Sequence, residues 1–218
     1  GFDRAEVRFE IDEKGHPIST YIKVAKDANK LVEEFMLLAN RSVAEMIGRV
    51  PKGKKAKTLP YRIHDVPDPE KLEKLSAFIA KFGLKIRTEG TKTEVSKSLN
   101  RMLSDVKGQK EEAIVEMVAL RAMQKARYSV HNIGHYGLMF QYYTHFTSPI
   151  RRYPDTMVHR LLTRYAEGGR SANANKYEEL CEHASAMEQL ATQAERASIK
   201  YKQVEFMADR LGQEFDGT

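Results

Sequence analysis

The run Tyr142, Tyr143, Thr144, His145, Phe146, Thr147, Ser148, Pro149, Ile150, Arg151, Arg152, Tyr153, Pro154, Asp155, continued by Thr156 to Leu162, decides how the chain is read. Ser148 is a good N-cap, Pro149 suits a first helical position, and Leu161 and Leu162 belong to a helix continuing to about Tyr165. A helix starting at Ser148 is therefore expected. It places Arg151 and Arg152 in the first turn, where free N–H groups and the positive end of the dipole already disfavour cations. Asp155, four residues after Arg151 and three after Arg152, can neutralise one guanidinium at helical spacing but cannot satisfy two. The other is left for an anion. Open N–H groups, a hydroxyl from Thr147 or Ser148, His145 just upstream and the rings of Tyr142, Tyr143 and Phe146 best suit a phosphate attached to a base. The plainer alternative is an ion-pair cluster on a buried helix start.

The composition fits such a partner without demanding it. A chain of 218 residues with 41% hydrophobic content can bury a core as one large or two small domains. The net charge of +6 suits a polyanion, but 30% charged residues in near balance make the excess modest. A single cysteine, Cys181, excludes an internal disulfide and any cysteine-based metal site, and it reads as a small buried hydrophobe on a helix. No run approaches the roughly 18 apolar residues of a membrane span, and no apolar leader opens the chain, so a cytoplasmic protein is expected.

Working outward, residues 6 to 10 and 18 to 24 flank the turn chemistry of Asp12 to Pro17 and predict a hairpin. From Asp27 to Val50 the apolar residues Leu31, Val32, Phe35, Met36, Leu38, Ala39, Val43, Met46 and Ile47 predict a largely buried helix. Its exceptional face carries Glu33, Leu37 and Asn40, so Glu33 must meet a partner, water or a ligand. Residues 51 to 58 form a basic loop, ordinarily solvated surface, with phosphate contact as the alternative. Three helices should follow, from Asp68 to about Lys81, Thr93 to Val106 and Lys110 to Arg127. Tyr128 to Val130 and Leu138 to Tyr143 read as short strands. A last helix from about Lys176 to Gln213 should bury Leu180, Met187, Leu190, Ile199, Val204, Phe206, Met207 and Leu211. The class is α+β, predominantly helical.

The string HFTSPIRRYPDTMVHRLL, residues 145–162, resembles the signature of RNB-domain exoribonucleases, the ribonuclease II and ribonuclease R family. FDRAEVRF (2–9), LVEEFMLLAN (31–40), YRIHDVPDPEKL (61–72), SVHNIGHYGL (129–138) and QAERASIKYKQVEFM (193–207) are similar to successive blocks of that family, in the same order. The resemblance covers essentially all 218 residues and implies a single partial catalytic domain, the later, helical part of an RNB domain. Residues 212–218 look like its junction with an OB-type RNA-binding domain.

The family implies a processive, hydrolytic, magnesium-dependent 3′ to 5′ exoribonuclease that releases 5′-mononucleotides from single-stranded RNA. Carried over by resemblance, Arg151 holds the scissile phosphate, Glu195 faces the active site, Glu33 reads the ribose 2′-hydroxyl and Phe2 stacks on bases. Arg152, His145, Ser148 and Tyr143 are further candidates for RNA contact, with Arg152 either paired to Asp155 or on a neighbouring phosphate. One departure is large. The family binds catalytic magnesium through a tight aspartate cluster early in the domain, and no such run occurs here; His64, Asp65 and Asp68 read as a turn with an N-cap. No metal ligand is assigned, the chain alone is expected to be inactive, and an RNA-binding module without catalysis is the alternative. Its expected partners are single-stranded RNA and the remainder of a monomeric parent, the N-terminal half of the domain and OB-type RNA-binding domains, with no membrane.

Overall fold

A computed structural model of the chain describes residues 6–24, 26–208 and 210–214. They form a predominantly helical α+β structure that divides into two compact units, Gly1–Met36 with His183–Thr218, and Leu37–Glu182. Helices α1 (Asp27–Gly48) and α6 (Ala174–Ala208) each contribute to both.

In the first unit, strands β1 (Glu6–Ile11) and β2 (Pro17–Lys23) pair antiparallel, as the turn chemistry requires. Asp12 Oδ1 accepts from the Lys14 and His16 backbone N–H groups at 2.9 and 2.8 Å, and Gly15 takes φ +82°, which a residue with a Cβ rarely adopts. The Phe9 and Phe206 rings pack with centroids 5.9 Å apart, and Lys202 Nζ donates to the Gly15 carbonyl and to Glu205.

The second unit holds β3 (Tyr61–Ile63), α2 (Pro69–Ile79), α3 (Lys92–Val106), α4 (Glu112–Ala122), β4 (Arg127–Ser129) and α5 (Tyr153–Ala166). Helices α2 to α4 build one core around Leu75, Ile79, Leu99, Met102, Val106 and Val115. Their ends are chemically set. Asp68 caps α2 by accepting from Glu70 and Lys71 N–H, Gly83 closes the following 3-10 turn in the left-handed region, and Thr91 with Glu94 makes a reciprocal capping box on α3. A second core joins Val43 and Ala44 of α1 to Leu59, Tyr61, Ile63 and Val158 of α5.

Several expectations are corrected. Helix α4 ends at Ala122, because Arg127 already pairs with Ile63 across the β3–β4 ladder; a three-residue β3 is too short to leave a periodic signal. Leu138–Tyr143 forms no strand. The chain instead makes a 3-10 turn, Tyr136–Leu138, Met139 adopts φ +57°, and only an isolated bridge joins His135 to Phe140. Helix α1 packs the stripe through Asn40, Val43 and Ala44 and leaves Leu31, Val32, Phe35, Leu38 and Met46 exposed. Helix α6 stops at Ala208, and Met187, Leu190, Ile199, Val204, Met207 and, beyond its end, Leu211 are exposed; Cys181 is its one buried residue, its thiol pushed up to about 12 by burial. Among the described residues no helix is long and apolar enough to cross a membrane.

Candidate functional site

Helix α5 starts at Tyr153, five residues later than Ser148, and Pro154 is the reason. In a helix running from Ser148, Pro154 would lack the N–H that should meet the carbonyl of residue 150, and its ring would clash there. The chain therefore turns first. Both Arg151 and Arg152 backbone N–H groups donate to the Ser148 carbonyl, at 3.3 and 3.0 Å, and Arg152, extended at φ −132°, takes the N-cap position with no side-chain cap. Ser148 is thus not the cap.

Asp155 organises this turn from within the helix. Fully buried, its Oδ1 accepts from the Ser148 N–H at 2.8 Å and from the Arg152 guanidinium at 3.0 Å. Thr156 Oγ1 adds a bond to the Pro149 carbonyl at 3.1 Å. The two arginines are thereby separated. Arg152 is paired with 21% of its side chain exposed, whereas Arg151 is exposed and, among the described residues, has no ion pair. Near it in the chain, Ile150 is fully exposed and Tyr153 is 52% exposed. Three polar atoms at the turn, Thr147 Oγ1, Arg152 Nε and Asp155 Oδ2, are buried without a hydrogen-bond partner, which a closed ion-pair cluster would not leave.

Behind the turn lies a hydrogen-bonded aromatic layer. Buried Asn40 on α1 donates to the Tyr143 hydroxyl at 3.2 Å and accepts from the Phe146 N–H at 2.9 Å, fixing the approach to the turn. Tyr143 is 5% exposed, its ring enclosed by His135, Phe140 and His145, so it packs and offers no face to a base; that expectation is corrected. His145 Nδ1 lies 2.8 Å from the Tyr128 hydroxyl. Burial first, then the Arg152 and Arg62 guanidinium groups, push His145 down to about 3, so it is a neutral ring and not a cation for phosphate. Burial, with His64 and Arg62, likewise lowers His135 to about 4. His64 Nδ1 accepts from the Gly137 N–H at 2.9 Å, so Nε2 carries the proton donated to the Gln124 carbonyl at 2.7 Å. On α5, His159 stacks on Phe146 at 4.1 Å and donates to its carbonyl.

Of the other candidates, Glu33 on α1 and Glu195 on α6 are exposed and belong to the first unit, and Phe2 lies outside the described residues. Glu33 does not meet a buried partner: it shares a helix face with Asn40, two turns further on, but the N-terminal part of α1 that carries it is exposed. Sequence reasoning assigned no role to Asn40, Arg62 or Tyr153. Asn40 carried a signal, an amide on a stripe with Val43 and Ala44; Tyr153 sat unassigned inside the quoted run.

Among the described residues no group of three or more His, Cys, Asp or Glu side chains gathers to hold a metal ion. Asp65 Oδ1 accepts from the Val66 N–H and Asp68 from α2, so neither carboxylate is arranged as a ligand. These residues do not fit a magnesium centre.

Residues 2–168 match the family model described as the RNB domain. The chain is 41% identical to Ribonuclease R 1 of Lactococcus lactis over 224 aligned residues, covering 99% of this chain and 26% of that protein. Its structure is similar to Mycoplasma genitalium RNase R in complex with ribose methylated single-stranded RNA, with TM-score 0.81 and 25% identity, covering 97% of this chain and 33% of that one. The same enzyme in complex with double-stranded RNA gives TM-score 0.84 and 27% identity, covering 99% and 38%. The chain thus spans about a quarter to two fifths of the length of these relatives.

Proposed function

The chain belongs to the RNB domain family, and on that premise we propose that it is the later part of the catalytic domain of a processive, hydrolytic 3′ to 5′ exoribonuclease releasing 5′-mononucleotides from single-stranded RNA. The observation that carries the proposal is the separation of the two arginines. Asp155 neutralises Arg152, and Arg151 stands on a pinned turn with its charge unmatched among the described residues. A guanidinium carried on a pinned backbone is placed to meet a phosphate, and its five donors can follow charge as it develops on the non-bridging oxygens.

In this proposal Arg152 is a positioning residue, and the exposed Tyr153 ring, two residues after Arg151, takes the role of sequence-tolerant stacking that the buried Tyr143 cannot. Glu33 reads the 2′-hydroxyl, Glu195 lines the path of the RNA end, and Phe2 stacks on bases. Among the described residues no group of three or more ligands gathers for magnesium; in this proposal the metal and its chemistry belong to the rest of a longer, monomeric, cytoplasmic protein with OB-type RNA-binding domains. A binding module without catalysis is the second reading, favoured for the isolated chain by that missing ligand set.

The test is Arg151→Ala and Arg152→Ala in the full-length enzyme, with single-stranded RNA. For Arg151→Ala, kcat should fall by roughly 10²-fold or more while RNA affinity changes much less. Equal losses in turnover and affinity would reassign Arg151 to plain RNA holding. Arg152→Ala should reduce turnover together with thermal stability.

A further inference from the structure

At the opposite end of α5 from Arg151, two loops are clasped into one basic surface. The Thr58 N–H donates to Ser171 Oγ at 3.0 Å, Thr58 Oγ1 to the Ala172 carbonyl at 2.8 Å, and the Tyr165 hydroxyl to the Thr58 carbonyl at 2.7 Å. Lys57 Nζ donates to the Gly169 carbonyl at 3.0 Å while lying over the Tyr165 ring, 4.7 Å from its centroid. Arg164 Nε donates to the Arg170 carbonyl at 2.9 Å, and the Gly169 N–H to the Arg164 carbonyl at 2.8 Å. The 51–58 loop itself turns at Gly53, φ +87°, with the Lys54 N–H on the Pro51 carbonyl.

On the two clasped segments Lys52, Lys54 and Lys55, just before Lys57, and Arg164 and Arg170, which are bonded to each other, are all exposed and, among the described residues, none is in an ion pair. Arg160 lies one turn before Arg164 on α5 and is exposed as well; Glu167 is the acidic residue at this helix end. The fastening fixes Lys57 and Thr58, and with them the end of the loop that carries Lys52, Lys54 and Lys55. Holding like charges together costs repulsion that a polyanion would relieve, and a lattice of backbone hydrogen bonds keeps the surface in one shape.

We propose that the surface formed by Lys52, Lys54, Lys55, Arg164 and Arg170 is a second RNA contact, gripping the sugar-phosphate backbone of nucleotides upstream of the 3′ end held at Arg151. The 14 residues of α5 make the two sites about 21 Å apart along the helix, too far for one nucleotide to touch both. Lysines and arginines without ring stacking of their own read phosphate and not base, so the grip is sequence-independent and sensitive to salt. The assignment rests on the RNA-degrading reading for its direction only.

The test uses the full-length protein in EDTA, so that binding is measured without trimming, and the triple variant Lys54→Gln, Lys55→Gln, Arg170→Gln. Affinity is measured against salt for single-stranded RNAs of about 4 and about 20 nucleotides, which bracket usual single-strand site sizes. The longer RNA should lose about tenfold or more in affinity, and its log–log salt slope should flatten by about 2, from three lost phosphate contacts. The short RNA should bind as before. Unchanged affinity and slope for the longer RNA, or equal losses for both lengths, would overturn the proposal. So would unchanged RNA binding together with lost retention of polyglutamate, which would make the surface a protein contact. An unaltered melting curve for the variant shows that folding is not the cause. A full-length protein that lacks exonuclease activity but keeps the length-dependent loss would sink the catalytic reading and leave this contact standing.

Discussion

At the scale of single residues, Asp155 and two imidazoles govern the site. Asp155 is fully buried and accepts from both Ser148 and Arg152, so Asp155→Ala leaves a partly buried guanidinium unpaired and the turn unpinned. We expect a loss of about 3 kcal/mol in urea unfolding, with part of it recovered in the Arg152→Ala, Asp155→Ala double variant because no orphan charge remains. Strict additivity of the two single losses would show that the pair is not coupled. His135 and His145 lie below the ordinary imidazole value, at about 4 and about 3, chiefly through burial. Unfolding lets them take up protons near pH 6.5, whereas the folded protein refuses them, so the unfolded state binds more protons and acid favours it. Stability should be full above pH 6.5 and fall by roughly 1.4 kcal/mol per pH unit for each imidazole between pH 6.5 and 5, a window above the carboxylates. Melts of His145→Gln should show about half that slope, and a wild-type protein equally stable at pH 7 and pH 5 would mean that both rings protonate in the fold.

At the scale of elements, the ends of helices carry the energetics. Gly48 closes α1 without a positive φ, so its need is for space: a Cβ there would sit 2.5 Å from the Tyr61 hydroxyl and 2.8 Å from Tyr142 Cδ1. Helix propensity alone would make Gly48→Ala stabilising by about 1 kcal/mol; we expect the opposite sign, a lower melting temperature, because both rings belong to the core that seats α1. Thr91→Ala removes the α3 capping box and should cost about 1 kcal/mol in the same assay. Such local chemistry was legible in advance: Asp68 with Pro69, Gly83 and the hairpin turn each specify their element through neighbours in the chain. What was not legible depended on distance. β3 exists because Tyr61 finds Ser129 and Ile63 finds Arg127, and Asn40 faces inward because Tyr143 and Phe146 offer partners more than a hundred residues away. The helix start was legible but misread: Pro149 drew attention as an opening proline, while Pro154 forbids the helix that Pro149 would open. For the site, the charge logic survived this shift. Arg152 does pair with Asp155 and Arg151 has no ion pair among the described residues, while Tyr143 is packed behind the turn and His145 is bonded to the Tyr128 hydroxyl.

At the scale of the whole molecule, the chain exposes Arg151 and a run of lysines, and among its described residues no group of metal-ligating side chains is assembled. Those properties separate with ionic strength. Binding that rests on phosphate contacts weakens as salt displaces the counterion advantage, whereas hydrolysis with two ions needs carboxylates holding them a few Å apart and has no substitute in guanidinium groups. We therefore expect the purified 218-residue chain, supplied with magnesium, to retain single-stranded RNA at low salt and release it as salt rises, while a labelled 3′ end stays intact. Supplying the chain at higher concentration should raise the bound fraction and leave the product fraction at zero, since among the described residues it is a metal ligand set that is not assembled. Mononucleotides released by the chain alone, abolished by EDTA and by Arg151→Ala, would prove that it carries a complete reaction centre and that the carboxylates serving the metal come from residues read here as caps and turns.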